Sequence, residues 1–269
     1  MIPQLFKRAW AFPAIEQPMA IQLVKDLIKG KSFDGFPIPE MGIHCTEGLE
    51  LPDWGESMLT WMYKGLMPPT LDQAVGIRYY IDGAHNSAMA LRTRTLIGII
   101  GEGPSTWRII PYEPSTPASL QHAVKMFQSA DFGHRHVDIE LTDDLAQEII
   151  ASSGDRVFTI DNTSAEFNIV PDQEGDFTTC DYARSTAIKS LLPTTAHLNA
   201  AYIHRHGDTF HRTGNVYFNI ERKIPEGSLR LKLLDLGAGD CQAEFSDIYA
   251  GDFHGKNWSF GIQSLPLPL

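Results

Sequence analysis

The sequence predicts a mixed α+β protein centred on a β-sandwich or jelly-roll barrel, and three observations carry that expectation. From Arg156 onward, β-rich segments of four to seven residues recur, each bounded by Asn, Asp, Gly or Pro. Ahead of them stand helical stretches with capping residues and apolar stripes. A chain of 269 residues that is 43% apolar can bury one large core or two modest ones. The expected division is an N-terminal helical and extended segment over 1–70, a β-barrel core over 71–225 and a C-terminal extension over 226–269.

In chain order, the first helix is predicted from Pro18 to Gly30, with Ile21, Val24, Leu27 and Ile28 at helical spacing and Gly30 as its stop. Residues 34 to 55 are rich in Pro, Gly and Asp and read as an extended connection. A short amphipathic stretch follows around Met58 to Met67. Val75 to Ile81 and Leu91 to Ile100 are predicted as strands, separated by the turn-rich run Asp82-Gly83-Ala84-His85-Asn86. Thr116-Pro117 should cap and start a helix whose Leu120, Val124 and Phe127 share one side. It delivers the chain to a strand at His136. Thr142-Asp143-Asp144 then caps a helix that buries Leu145, Ile149 and Ile150 and stops at Gly154. The remaining predicted strands are Arg156–Ile160, Glu166–Val170, Ala200–His204, Gly214–Ile220 and Ser228–Leu234.

A net charge of −11 supplies no basic stripe for phosphate, which argues against nucleic acid and anionic membrane as partners. The longest greasy run, Leu96 to Ile100, is too short to span a bilayer. Cys45, Cys180 and Cys241 are odd in number and widely spaced, so neither a disulfide framework nor a zinc knuckle is indicated. A reducing, cytoplasmic setting is the expectation. The cysteines read as small buried apolar groups.

The chemistry-bearing candidates are histidines. His136-Val137-Asp138 places an imidazole and a carboxylate at i and i+2, on one face of a strand, where both can grip one metal ion. A later histidine, His197, His204 or His206, could close a 2-His-1-carboxylate set. Further on, Val216, Phe218 and Ile220 share a buried face, and extending that pleat backward puts Arg212 on the interior side, where a carboxylate would be its natural partner.

This order of parts resembles the iron(II)/2-oxoglutarate-dependent oxygenase superfamily, across residues 132–221. The resemblance implies a double-stranded β-helix, a jelly-roll or cupin-like barrel with flanking N-terminal helices. It implies His136, Asp138 and His204 on Fe(II), Arg212 on the far carboxylate of 2-oxoglutarate, and hydroxylation of a small polar substrate.

Other motifs point elsewhere. Arg205-His206-Gly207-Asp208 looks like a histidine-phosphatase signature, but it lies too near the end of the chain to be followed by such a site. Leu236-Gly237-Ala238-Gly239-Asp240 looks like a methyltransferase turn, yet too few residues follow for the βα units that fold needs. His204, His206 and His254 faintly echo a cupin metal set. From a different class, the acidic composition, the β-rich body and the Pro-containing tail also suit a non-enzymatic subunit of a homo-oligomer or larger assembly.

Overall fold

The computed structural model describes residues 35–130, 136–161, 164–170, 175–207, 212–220, 223–239, 245–251 and 254–264. The helix expected between Pro18 and Gly30 and the tail from Leu265 lie outside the described residues. The strands are β1 (Gly35–Ile38), β2 (Ile43–Thr46), β3 (Leu49–Asp53), β4 (Leu91–Gly101), β5 (Trp107–Tyr112), β6 (Val137–Glu140), β7 (Phe158–Ile160), β8 (Ser164–Asn168), β9 (Thr213–Tyr217), β10 (Ser228–Leu236), β11 (Ile248–Gly251), β12 (His254–Ser259) and β13 (Ile262–Ser264). The helices are α1 (Trp54–Tyr63), α2 (Leu71–Ile81), α3 (Pro117–Ser129), α4 (Asp144–Ser152), α5 (Asp181–Arg184), α6 (Thr186–Leu191) and α7 (Ala196–His206).

Ten strands form one mixed sheet, and β1, β2 and β13 form a second, smaller one. The large sheet is built on the antiparallel pair of β4 and β10, the two longest strands. On the outer side of β10 lie β6 at one end and β11, then β9 and β8, at the other. On the outer side of β4 lie β5 and β7 at one end and β12 and β3 at the other. The expected jelly-roll barrel is therefore corrected. The described ladder is open, ending at β3 and β8, and it contains the parallel pairs β9/β11 and β4/β12. A jelly roll is instead a pair of antiparallel Greek-key sheets. Residues 226–269, expected as an extension, supply β10, whose every residue is buried at the centre of the sheet.

Strand parity sorts the core into two layers. Leu234 and Leu236 of β10, Val216 of β9 and Ile248 of β11 face one side, where they pack with Leu71, Val75, Ile188, Ala200 and Ile203 from helices α2, α6 and α7. Leu229, Leu231 and Leu233, on the opposite parity of β10, face the other side, with Met58, Leu120, Val124 and Ile149 from α1, α3 and α4.

Two predicted helices form as their caps dictate. The Thr116 hydroxyl accepts from Ser119 N–H ahead of Pro117, and the Asp143 carboxylate accepts from Leu145 N–H. Two predicted strands are helices instead. Val75–Ile81 lies within α2, which opens on a full capping box between Thr70 and Gln73. Ala200–His204 lies within α7, and the two residues ahead of that helix are held from a distance: Asp72 accepts hydrogen bonds from Thr194 N–H, Thr195 N–H and both threonine hydroxyls.

Candidate functional site

The structure brings His136 and Asp138 near each other and places His204 and Arg212 at other elements. His136 precedes β6 and stands near Asp138, with Nε2 3.9 Å from Oδ2. The carboxylate is already engaged. Arg230, its register partner across β6 and β10, donates from Nε to Oδ1 at 2.7 Å and from Nη2 to Oδ2 at 3.0 Å. His204 sits on helix α7 rather than on a strand, with its ring against Phe177. Arg212 is exposed and lies one residue ahead of β9. Of the other distal candidates, His206 bonds Asp82 at 2.6 Å, and His197 lines a hollow of about 400 Å³ beside α2. No group of three or more His, Cys, Asp or Glu side chains that could hold a metal ion occurs among the described residues. A side-chain set with its carboxylate in a bidentate arginine pair does not fit a ferrous centre.

A different feature emerges from the two-layer core. Helices α1, α3 and α4 cover one face of the sheet over β3, β12, β4 and β5. The same face over β8, β9 and β11 carries no helix among the described residues. The alternation that turns Phe167, Val216 and Ile248 toward the opposite layer turns Glu166, Asn168, Thr213, Asn215, Tyr217 and Tyr249 to this side. Tyr217 is 38% exposed, and Tyr249 is half-buried beside it as its partner in the parallel pair. These strands present no lysine or arginine on this side.

The row continues beneath the helices. Tyr249 is paired in register with Asp235, and Asp235 with Arg92, so Tyr217, Tyr249, Asp235 and Arg92 form one line across four strands. Asp235 and Arg92 are fully buried and joined at 2.7 Å. Asn257 on β12 donates to Asp235 Oδ2 at 3.2 Å and reaches the Tyr249 hydroxyl at 3.5 Å. A side chain at position 251 would overlap the Asp235 carboxylate, which is why that neighbour is glycine. Burial outweighs the attraction of Arg92 and leaves the Asp235 carboxyl above its ordinary range. The Tyr217 phenol is also raised, first by partial burial and then by the negative charges of Asp247 and Glu166. Asn215 is held by Asp247, to which it donates through its backbone N–H at 3.2 Å and its side-chain amide at 3.3 Å. The surface is therefore polar, aromatic and fixed on strands.

The alternation that turns Val216, Phe218 and Ile220 inward has an outward complement. Asn215 and Tyr217, the outward half of the same alternation, were the available signal.

No protein-family model matches the chain, and no curated protein matches it. A solved structure described by the words "Accommodation of massive sequence variation in Nanoarchaeota by the C-type lectin fold" is similar over 80% of this chain and 95% of that one. Its identity is 9% and its TM-score 0.45. A similarity of that size assigns neither fold nor activity. No described helix is long and apolar enough to cross a membrane.

Proposed function

We propose that this chain is a non-catalytic recognition subunit that binds another protein through the uncovered face of β8, β9 and β11. The observation that carries this reading is the cross-strand pair of Tyr217 and Tyr249 on the part of the sheet that no described helix covers. Tyrosine gives large amphipathic contact area at low cost in side-chain entropy, and asparagine adds adaptable hydrogen bonding. Both kinds stand here on strands, which hold a site more precisely than loops do. The absence of lysine and arginine from the strip, together with a net charge of −11, turns it away from phosphate-rich ligands.

A photo-cross-linking side chain in place of Tyr217 tests the reading in the native cell, with the same group in place of Tyr80 as control. Tyr80 is equally exposed but lies on α2, across the sheet. A discrete protein adduct is expected from position 217 alone and should disappear when Tyr249→Ala is added. Adducts that are the same from both positions, or that survive Tyr249→Ala, would remove this face as the contact surface.

A further inference from the structure

Strand β8 ends the large sheet, with β9 on one side and no described strand on the other. The direction of its backbone groups follows from one hydrogen bond. Ile169 N–H donates to Arg212 C=O at 3.1 Å, which puts the directly opposed residues 169 and 212 at a hydrogen-bonding position of the ladder. In an antiparallel ladder such pairs alternate with unbonded ones. Phe167, opposite Gly214, therefore also turns its N–H and C=O toward β9. Glu166 and Asn168 turn theirs outward, away from the sheet. An open edge of this kind is a template for another strand.

Edges that must stay unpaired are commonly blunted by lysine or proline. Ser164–Asn168 contains neither. Glu166 and Asn168 are exposed on the same side as Tyr217, and just past the strand Val170 is 66% exposed, the most open of the large apolar residues described.

We propose that the β8 edge accepts an extended, basic segment of a partner protein as an added strand. The outward N–H and C=O groups of Glu166 and Asn168 would form the ladder, and the segment's cationic side chains would lie against Glu166. This rests on the reading of the adjoining tyrosine face as a protein-binding surface, and it names the chemistry of what binds there. Charge selects the occupant. A second copy of this chain would bring another −11 and another Glu166 to the same edge, whereas a lysine- or arginine-bearing segment is complementary.

The test uses the full chain and three labelled synthetic peptides in fluorescence anisotropy. One alternates lysine and valine, one alternates glutamate and valine, and one is the lysine peptide N-methylated along one edge of its backbone. The lysine peptide is expected to bind, more weakly as salt rises, and the glutamate peptide to fail. N-methylation should weaken binding about tenfold or more, since each lost backbone hydrogen bond leaves its edge partner unmade.

Asn168→Pro removes an outward donor without touching the ladder to β9 and should produce a loss of the same order. The N-methylated peptide makes the same cut from the ligand side, so the result does not depend on that variant folding. Failure of the lysine peptide to bind, or equal binding of its N-methylated form, overturns the edge proposal. Tyr217→Ala combined with Tyr249→Ala separates the two readings. Binding lost with Asn168→Pro but kept in the tyrosine double variant upholds the edge and removes the tyrosine face. The reverse pattern upholds the face and removes the edge.

Discussion

Glu56 enters the first turn of α1 with no exposed surface, and neither of its carboxyl oxygens has a hydrogen-bond partner among the described residues. Burial, and then the negative charge of Asp53 beside it, push the carboxyl from 4.5 up to about 8. The folded protein thus holds this proton more tightly than the unfolded chain does. The stability that follows is fully present below pH 4.5 and is lost as pH rises toward 8. Glu56→Gln cannot ionise and should be spared that loss. In urea unfolding at pH 5 and pH 8, the variant is expected to gain on the parent by up to about 1.4 kcal/mol for each pH unit in the window. An advantage that does not change with pH would show that Glu56 does not titrate there.

Asp138 shows the opposite case, an acid whose role is fixed by its partner. The triplet His136-Val137-Asp138 was legible in the sequence, and the structure places His136 Nε2 3.9 Å from Asp138 Oδ2. That Arg230 lies opposite, 92 residues away, was not legible, because cross-strand register is a tertiary property. Asp138→Ala leaves the nearly buried Arg230 without this carboxylate. It should cost about 2 kcal/mol in denaturant unfolding, less than a fully buried pair because Asp138 is partly open to water. Iron(II) with 2-oxoglutarate, added without oxygen, is expected to leave the melting temperature unchanged. A rise abolished by His136→Ala would contradict that expectation.

At the scale of elements, α2 and α7 run parallel, and α2 joins them at both ends. Asp72 holds Thr194 and Thr195 just ahead of α7, and Asp82, the left-handed C-cap of α2, receives His206 at 2.6 Å and Arg205 at 3.4 Å at its end. Neither helix was read correctly from the sequence, and the reasons differ. In α2 the residues Val75, Ile77, Tyr79 and Ile81 alternate at period two, as in a strand, and only the capping box of Thr70 and Gln73 marks the helix. In α7 the N-cap Thr195 makes no side-chain cap hydrogen bond, so no local signal was available at its first residue. α3 and α4 carry their own caps in sequence and were found. Asp72→Ala removes the hydrogen bonds that hold Thr194 and Thr195 at the start of α7 and disturbs no residue of the tyrosine strip. Its expected cost is about 1 to 2 kcal/mol, read from the urea midpoint with the far-ultraviolet helix signal as probe. A loss under about 0.3 kcal/mol would mean that water replaces the carboxylate at no cost.

For the molecule as a whole, the decisive feature is that β10, from the last 45 residues of the chain, forms its central strand beside β4. A barrel was expected because strand count and spacing resemble one. The parallel pairs that reveal an open mixed sheet join segments far apart in sequence and leave no local pattern. At the centre of that sheet, Arg92 and Asp235 place two charges among apolar neighbours, one strand away from Tyr249. Removing one partner strands the other. Asp235→Ala is expected to cost about 3 to 5 kcal/mol, and Arg92→Met with Asp235→Leu to recover most of that loss. If the pair exists only to hold the fold, the recovered double variant should keep the Tyr217 cross-link unchanged. If it also fixes Tyr249, through Asn257 and the shared row, the double variant should fold and yet lose the adduct. Asn257 spans Asp235 and the Tyr249 hydroxyl, so the second outcome is the one expected. Recovery of both stability and cross-link would limit the pair to the core.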